Sequence, residues 1–396
     1  MDPKAAARAR FDTVRTDMIT LSHRIHAHPE LGFEEARAST WLAETLTEAG
    51  FTVTMGVGDL PTAFIARAGR GPLHLALCAE YDCLPGIGHA CGHNMIAAMS
   101  VGAGIAAAQV ADELGLTISV IGTPAEEVGD AGGKILLLER GAFAGVHAAM
   151  MAHPFPHDVV EPAFLAVSQF DVHYTGKAAH AAAYPELGVN AADALTIAQT
   201  AIGLLRQHIQ PTDRIHGIVT KGGDAPNIIP AHTAARYMVR GRTLADLHEI
   251  RAKVVRCFEA GALATGAALD VVGGQKPYAE LHHDGAMAAF YRRNAEALGR
   301  VFPDPASLRP AASTDMGNVS LALPSIHPLI SIDSLPAVNH QPEFTAHCIT
   351  AAADRAVVDG ALGLAWTAID IARDPQLRQR LLGHASTRGE MPRAKT

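Results

Sequence analysis

Three short apolar runs, residues 73–79, 116–122 and 148–151, each break off into a segment rich in metal-binding or acid–base side chains. Helical patterns separate them, at residues 95–110 and 134–139, so strand and helix alternate. That alternation specifies an α/β sheet with helices on both faces. In such sheets, sites gather beyond the carboxyl ends of the strands. The first run leads to Gly88-His89-Ala90-Cys91-Gly92-His93-Asn94, the second to Thr123-Pro124-Ala125-Glu126-Glu127, and the third to His153. Upstream, residues 11–50 read as helix, with Trp41, Leu42 and Leu46 at helical spacing and Gly50 as the stop. Further strands are expected at 51–57 and 62–67.

Beyond Leu165 the pattern changes. Strand 167–175, helix 190–208, strands 217–221 and 233–242, helix 244–265 and strand 269–273 follow in that order. This β-α-β-β-α-β succession is the ferredoxin-like split motif. The expected organisation is a first domain in two parts, residues 1–165 and 276–396, interrupted by an inserted α+β unit at 166–275. A chain of 396 residues is long enough for both. The polar tail after Arg373 is expected to fray.

Bulk properties narrow the function classes. A net charge of −8 offers no basic footprint for nucleic acid. No uncharged stretch approaches the ~20 residues that span a bilayer, and residues 1–15 lack the apolar core of a signal peptide. Five scattered cysteines, an odd number, do not form a disulfide framework. A cytoplasmic protein, in a reducing compartment, is the expectation.

Cys91 and His93 form a Cys-x-His pair on a glycine-flanked turn, which suits zinc or a similar transition metal. Glu126 and Glu127 alone would be a solvated loop. Beside a metal, adjacent carboxylates divide the labour, one binding the ion and the other moving a proton. His153 follows a strand, where a lone histidine is usually structural. His340 sits in a turn, and His327 competes with it on sequence alone. His147 and His157 have no comparable context.

These segments resemble a known family. The blocks His26-Ala27-His28-Pro29-Glu30-Leu31-Gly32-Phe33-Glu34-Glu35, Ala79-Glu80-Tyr81-Asp82-Cys83-Leu84-Pro85, His89-Ala90-Cys91-Gly92-His93-Asn94, Thr123-Pro124-Ala125-Glu126-Glu127 and Gly176-Lys177-Ala178-Ala179-His180 look like dinuclear metallopeptidases of the aminoacylase and carboxypeptidase G type. Within that family they resemble the branch of hippurate, indole-acetyl-amino acid and aminobenzoyl-glutamate hydrolases. Ser313-Thr314-Asp315-Met316-Gly317-Asn318-Val319-Ser320 points toward aminobenzoyl-glutamate hydrolase and the mammalian dipeptidase-like relatives. The resemblance spans about residues 20–370 in order. One departure is Asn94, where the family usually carries aspartate; relatives in this sub-branch share it.

The resemblance implies a catalytic domain with a mainly parallel central sheet flanked by helices, and an inserted ferredoxin-like lid and dimerisation domain. It implies Cys91, His93, Glu127, His153 and His340 as ligands to two divalent ions per subunit, zinc first, with manganese or cobalt as alternatives. Cys91 would bridge the ions, and the His-x-Pro-x-Phe context favours His340 over His327. Glu126 would be the general base and Asp82 an orienting group. His180, Asn227 and Arg240 would reach substrate from the inserted unit, His180 at the oxyanion, in a homodimer or higher oligomer. The implied substrate is an N-acyl- or aminoacyl-amino acid, of aminobenzoyl-glutamate or N-acyl-amino acid type. A dipeptidase for β-alanyl or γ-aminobutyryl dipeptides is the alternative reading, and a non-catalytic small-molecule binder of the same fold is a further one.

Overall fold

A computed structural model describes residues 2–304 and 312–386. In chain order the first part contains α1 (Pro3–His26), α2 (Ala36–Glu48), β1 (Thr52–Met55), β2 (Phe64–Ala68), β3 (Leu73–Ala79), α3 (His93–Ala108), β4 (Leu116–Gly122), α4 (Gly133–Glu139), β5 (Ala148–Met150) and β6 (His153–Phe155). The inserted unit follows as β7 (Ala166–Thr175), α5 (Ala191–Leu205), β8 (Arg214–Lys221), β9 (His232–Gly241), α6 (Leu244–Thr265) and β10 (Ala268–Gly273). The chain then returns with α7 (Gly285–Ala297), α8 (Met316–Ala322), β11 (Ser325–Ile326), β12 (Leu329–Ser331), α9 (Pro342–His347), α10 (Ala351–Arg373) and α11 (Pro375–Ser386).

The main sheet has the order β1-β2-β4-β3-β5-β11. Strands β4, β3, β5 and β11 run parallel, and β1 and β2 add an antiparallel edge. β3 is buried at six of its seven positions, the near-continuous apolar strand of a sheet covered on both faces. α3 is buried from His93 to Ala107, so it runs inside the protein and needs no polar face. Its small residues admit close neighbours: a side chain at Gly102 would stand 2.7 Å from the Phe11 ring of α1.

The inserted sheet has the order β10-β7-β9-β8, all antiparallel, with α5 and α6 packed on one face. Its own apolar core draws on residues 166–267, separate from the larger core built from residues 7–164 and 281–381. The two chain crossings between the units pair with each other. Val167 and Tyr278 each donate a backbone N–H to the other's carbonyl, at 3.0 Å both ways.

Two expectations need correction. The helix expected over 11–50 is two helices, because the chain leaves helical geometry between Ala27 and Glu35. Pro29 and Gly32 lie in this break, and the Glu30 carboxylate accepts the Arg37 and Ala38 N–H groups, capping α2 from outside it. The tail beyond Arg373 does not fray at once. Asp374 and Pro375 start α11, Leu377 and Leu381 are buried, and Arg378 donates to the carbonyls of Leu114 and Gly115. Residues 387–396 of that tail lie outside the described residues. The returning part also adds strands β11 and β12 to the helices expected there.

The fold delivers its chemistry through tight backbone contacts. A Cβ at Gly133, the first residue of α4, would collide with the carbonyl oxygen of Pro124 in the turn after β4. Gly133→Ala is therefore expected to destabilise the protein by about 1–3 kcal/mol in urea unfolding. Gly203→Ala, in α5 where nothing lies within 4 Å of the added carbon, should leave stability unchanged or raise it.

Candidate metal centre

Four loops that follow strands converge at one end of the main sheet. Past β3 come Glu80, Asp82 and then Cys91, with Gly92 in left-handed geometry (φ 78°) as α3 begins at His93. A side chain at Gly92 would press on Pro154, which brings the thiol loop against β6. Past β4, Ala125 takes a positive φ of 58° and turns Glu126 and Glu127 inward. β6 begins with His153, and past β12 His340 sits at φ 69°, with its N–H on the Ala90 carbonyl.

The side chains meet in two triplets that share Cys91. One is Cys91, His93 and His153, the other Cys91, Glu127 and His340, with donor atoms in each within 4.8 Å of one another. Cys91 Sγ is 3.4 Å from His153 Nε2 and 3.5 Å from His340 Nε2. Glu127 Oε1 is 3.8 Å from both His93 Nε2 and His340 Nε2. Ligands ~2.0–2.3 Å from a tetrahedral ion stand roughly 3.3–3.8 Å apart, so the spacings fit a metal. His93 Nε2 and Glu127 Oε1 are buried without a hydrogen-bond partner among the described residues, as donors awaiting a cation would be.

The supporting contacts set the tautomers. His93 Nδ1 donates to Asp82 Oδ1 at 2.8 Å, and His153 Nδ1 donates to the Pro154 carbonyl at 2.8 Å. In their neutral, metal-binding forms both rings would therefore present an unprotonated Nε2 to an ion beside the thiol. Asp82 uses its other oxygen to accept the Glu127 N–H at 2.9 Å. The pKa directions describe a site short of positive charge. Burial, then Glu127, pushes the Cys91 thiol well up. Burial, then Glu80 and Glu127, does the same to Glu126. Burial alone would lower His93, but Asp82 holds it well above its usual value. A bound divalent ion supplies the missing charge and favours the thiolate and carboxylate forms.

The other residues singled out in the sequence divide into two groups. Arg240 lines the same cavity as Glu126, Cys91 and His340, and its Nη1 donates to Ser313 Oγ at 2.7 Å. His180 and Asn227 do not line it. They stand side by side on the exposed rim of the inserted unit, where the Ala181 N–H bonds the Asn227 carbonyl. His327 is fully buried, its ring stacked 5.5 Å from that of His153, and it joins neither triplet.

Glu35 and Tyr278, to which sequence alone assigns no role, hold this turn in place. Glu35 is fully buried and accepts hydrogen bonds from the N–H of Phe33 (3.0 Å), the N–H of Ala125 (2.8 Å) and the Thr62 hydroxyl (2.9 Å). It braces the residue before Glu126. Tyr278 donates its hydroxyl to the Glu126 carbonyl at 2.6 Å and accepts the Gly129 N–H. Glu35 belongs to the first of the family-like blocks, but its neighbour Glu34 is exposed, and adjacent glutamates look alike until burial separates them.

Known proteins share the sequence and the fold of this chain. Residues 167–265 match the peptidase dimerisation domain family. The chain is 39% identical to the Xaa-Arg dipeptidase of Mus musculus over 391 residues, covering 94% of this chain and 90% of that protein. It is 35% identical to one component of the p-aminobenzoyl-glutamate hydrolase of Escherichia coli, over 62% of this chain and 55% of that one. A dinuclear metal-binding peptidase of the M20 family from Bacillus subtilis shares the fold, with a TM-score of 0.66 at 22% identity, covering 90% of this chain and 99% of the other. The chain belongs to the M20 peptidase family, whose members hydrolyse amide bonds.

Glu35 gives a test of how the turn is held. Burial first, then the charge of Asp82, pushes its carboxyl up to about 7 from an ordinary 4.5, against hydrogen bonds that pull it down. Between those values the folded chain keeps a proton that the unfolded chain has released. This group's contribution to stability is thus present at low pH and lost as pH rises through about 7. Glu35→Gln should flatten that part of the stability profile when urea unfolding of both proteins is compared across the window.

Proposed function

We propose that the chain hydrolyses the amide bond between an acyl or aminoacyl group and an amino acid with a free carboxylate, at a dinuclear centre held by Cys91, His93, Glu127, His153 and His340. The observation that carries this reading is the pair of triplets sharing one thiol, with Glu126 directly beside them. Bound there, two divalent ions would polarise the scissile carbonyl and bring the pKa of an attacking water toward neutrality. Zinc suits a thiolate and imidazole set, and manganese or cobalt could take its place.

Glu126 serves as the base. Its Oε2 is 3.9 Å from His93 Nε2, in the cavity and close to the ligand atoms. It takes the proton of the attacking water and returns it to the nitrogen of the departing amine. Its place in the cavity beside the ligand atoms suits a group that must both accept and donate a proton there. Arg240 offers a planar fork to the substrate carboxylate, exchanging its bond to Ser313 for two parallel ones. Phe155, Phe164, Val167 and Leu329 make an apolar wall for the acyl side.

His180 and Asn227 lie outside the cavity of their own subunit. They reach substrate by closure of the inserted unit or from a second copy, His180 stabilising the developing oxyanion. A homodimer through the inserted unit accords with the dimerisation-domain match, and edge strand β8 exposes Ile218 and Val219 for such pairing. No helix among the described residues is long and apolar enough to cross a membrane. The reading places the enzyme in the cytoplasm, supported by five cysteines that are all unpaired.

The likeness to Xaa-Arg dipeptidase favours a second reading, cleavage of dipeptides with a free amine on the acyl side. Apart from Glu126 and Glu127, the cavity is lined by no carboxylate among the described residues to receive that amine. A release assay with N-acyl-amino acids and ω-aminoacyl dipeptides, after metal reconstitution, separates the two readings.

Two variants test the chemistry. Glu126→Gln should keep its full metal content while turnover falls about 1000-fold. Substantial remaining turnover would remove Glu126 from the role of base. A chelator should abolish activity of the unaltered protein, and added zinc, manganese or cobalt should restore it. Arg240→Met should raise KM for substrates with a free carboxylate and leave the matching carboxamides, already poor, unchanged.

A further inference from the structure

Beside Glu126 lies a second group of charges. Glu80 follows β3 directly, and Asp315 immediately precedes α8. Each is fully buried, and the two offer carboxylate oxygens within 4.8 Å of one another and of Glu126. Lys134, the second residue of α4, is also fully buried. Its Nζ is 2.6 Å from Glu80 Oε1 and 2.6 Å from Asp315 Oδ1. Asp315 Oδ2 accepts the backbone N–H of Lys134 at 2.9 Å, so both oxygens of this acid are tied to one residue. Glu80 Oε2 has no hydrogen-bond donor among the described residues and stands 3.4 Å from His93 Nε2.

One fully buried ammonium therefore contacts two fully buried carboxylates, with Glu126 beside them at the wall of the cavity. Desolvating a lysine costs several kcal/mol unless its partners are well placed, and here two of them are. Three carboxylates at this spacing are also what a hard divalent cation binds. If such an ion replaced the ammonium, Glu126 would be a ligand rather than a free base. The ammonium is fixed in place because α4 cannot drift: Gly133 packs on the Pro124 carbonyl, and a side chain at Gly132 would stand 2.6 Å from Asp315 Oδ2.

We propose that Lys134 is a positioning residue whose fixed ammonium stands between Glu80 and Asp315 in place of a further metal ion, leaving Glu126 unligated and available as the base. The inference rests on the reading of Glu126 given above. It accounts for three charged residues, at positions 80, 134 and 315, that belong to neither of the triplets around Cys91.

The test uses the full chain loaded with manganese or zinc and freed of excess ion. Metal per subunit is measured by mass spectrometry, and kcat and KM are measured on the same samples. Lys134→Met should retain one divalent ion more than the unaltered protein, and its kcat should fall about 100-fold with KM changed less than about threefold. Adding Asp315→Asn removes one carboxylate of the cluster. The double variant should return to the original metal content and recover kcat at least about tenfold over the single variant.

Lys134→Met with unaltered metal content overturns the proposal, whatever its activity, because the ammonium then excludes no ion. A double variant that regains the original metal content without regaining kcat also overturns it, leaving Lys134 a structural role only. If Lys134→Met does not fold, the charge-balanced double variant decides: an extra ion bound there, or kcat no better than one-thousandth of the original, overturns the proposal. Failure of the Glu126 reading is separately visible, because Glu126→Gln would then stay active while the metal counts for Lys134→Met stand on their own.

Discussion

Glu80, Asp82, Glu126, Glu127 and Asp315 are gathered with the Cys91 thiol at the carboxyl end of one buried sheet, and such a concentration of acid does not persist in a low-dielectric interior without compensating charge. Much of the surrounding structure answers that demand. His93 is held on Asp82, Lys134 lies between Glu80 and Asp315, and the shared-thiol triplets leave donor atoms placed for a cation. The protein provides one fixed positive charge on the Lys134 side and leaves the Cys91 side open. On the proposed reading, this asymmetry is what separates carboxylates that bind from the one that moves protons.

The same region concentrates backbone conformations that L-residues seldom adopt. Ala125 and His340 have φ values of 58° and 69°. Such geometry costs of order 1–3 kcal/mol at each position and persists only where neighbours over-determine it. At Ala125 the determinants are the Glu35 carboxylate and the Gly32 backbone, close enough that a Cβ on Gly32 would lie 3.0 Å from Ala125. At His340 it is the hydrogen bond to the Ala90 carbonyl, one residue before the thiol. Strain in one loop is thus held by the loop it must meet.

Much of this architecture was legible in the sequence, for a physical reason. β3, β4 and α6 fall at the expected residues because glycine, proline or a capping threonine bounds each apolar period. The break between α1 and α2 escaped because helical spacing of apolar residues continues on both sides, and the cap comes from the side chain of Glu30, seven residues upstream of Arg37. α11 escaped because its anchor, Arg378 on the Leu114 and Gly115 carbonyls, is tertiary. Within the site, Cys91 and His340 meet across 249 positions, a separation no local spacing rule predicts, and family resemblance supplied that pairing. Glu35, Glu80 and Asp315 stood in family-like blocks without an assigned role, and Lys134 was only part of a helical run. A charged side chain reads as solvated until its burial is known.

The crossing between the two units has a mechanical meaning. Val167 and Tyr278 are the points where the chain leaves the first unit and comes back, and they are laced together by two backbone hydrogen bonds. Tyr278 also grips the peptide of Glu126 through its hydroxyl. The crossing and the glutamate turn thus share one residue. If the inserted unit closes as proposed, a swing about this laced crossing would be felt at the carbonyl of Glu126, the residue proposed as the base.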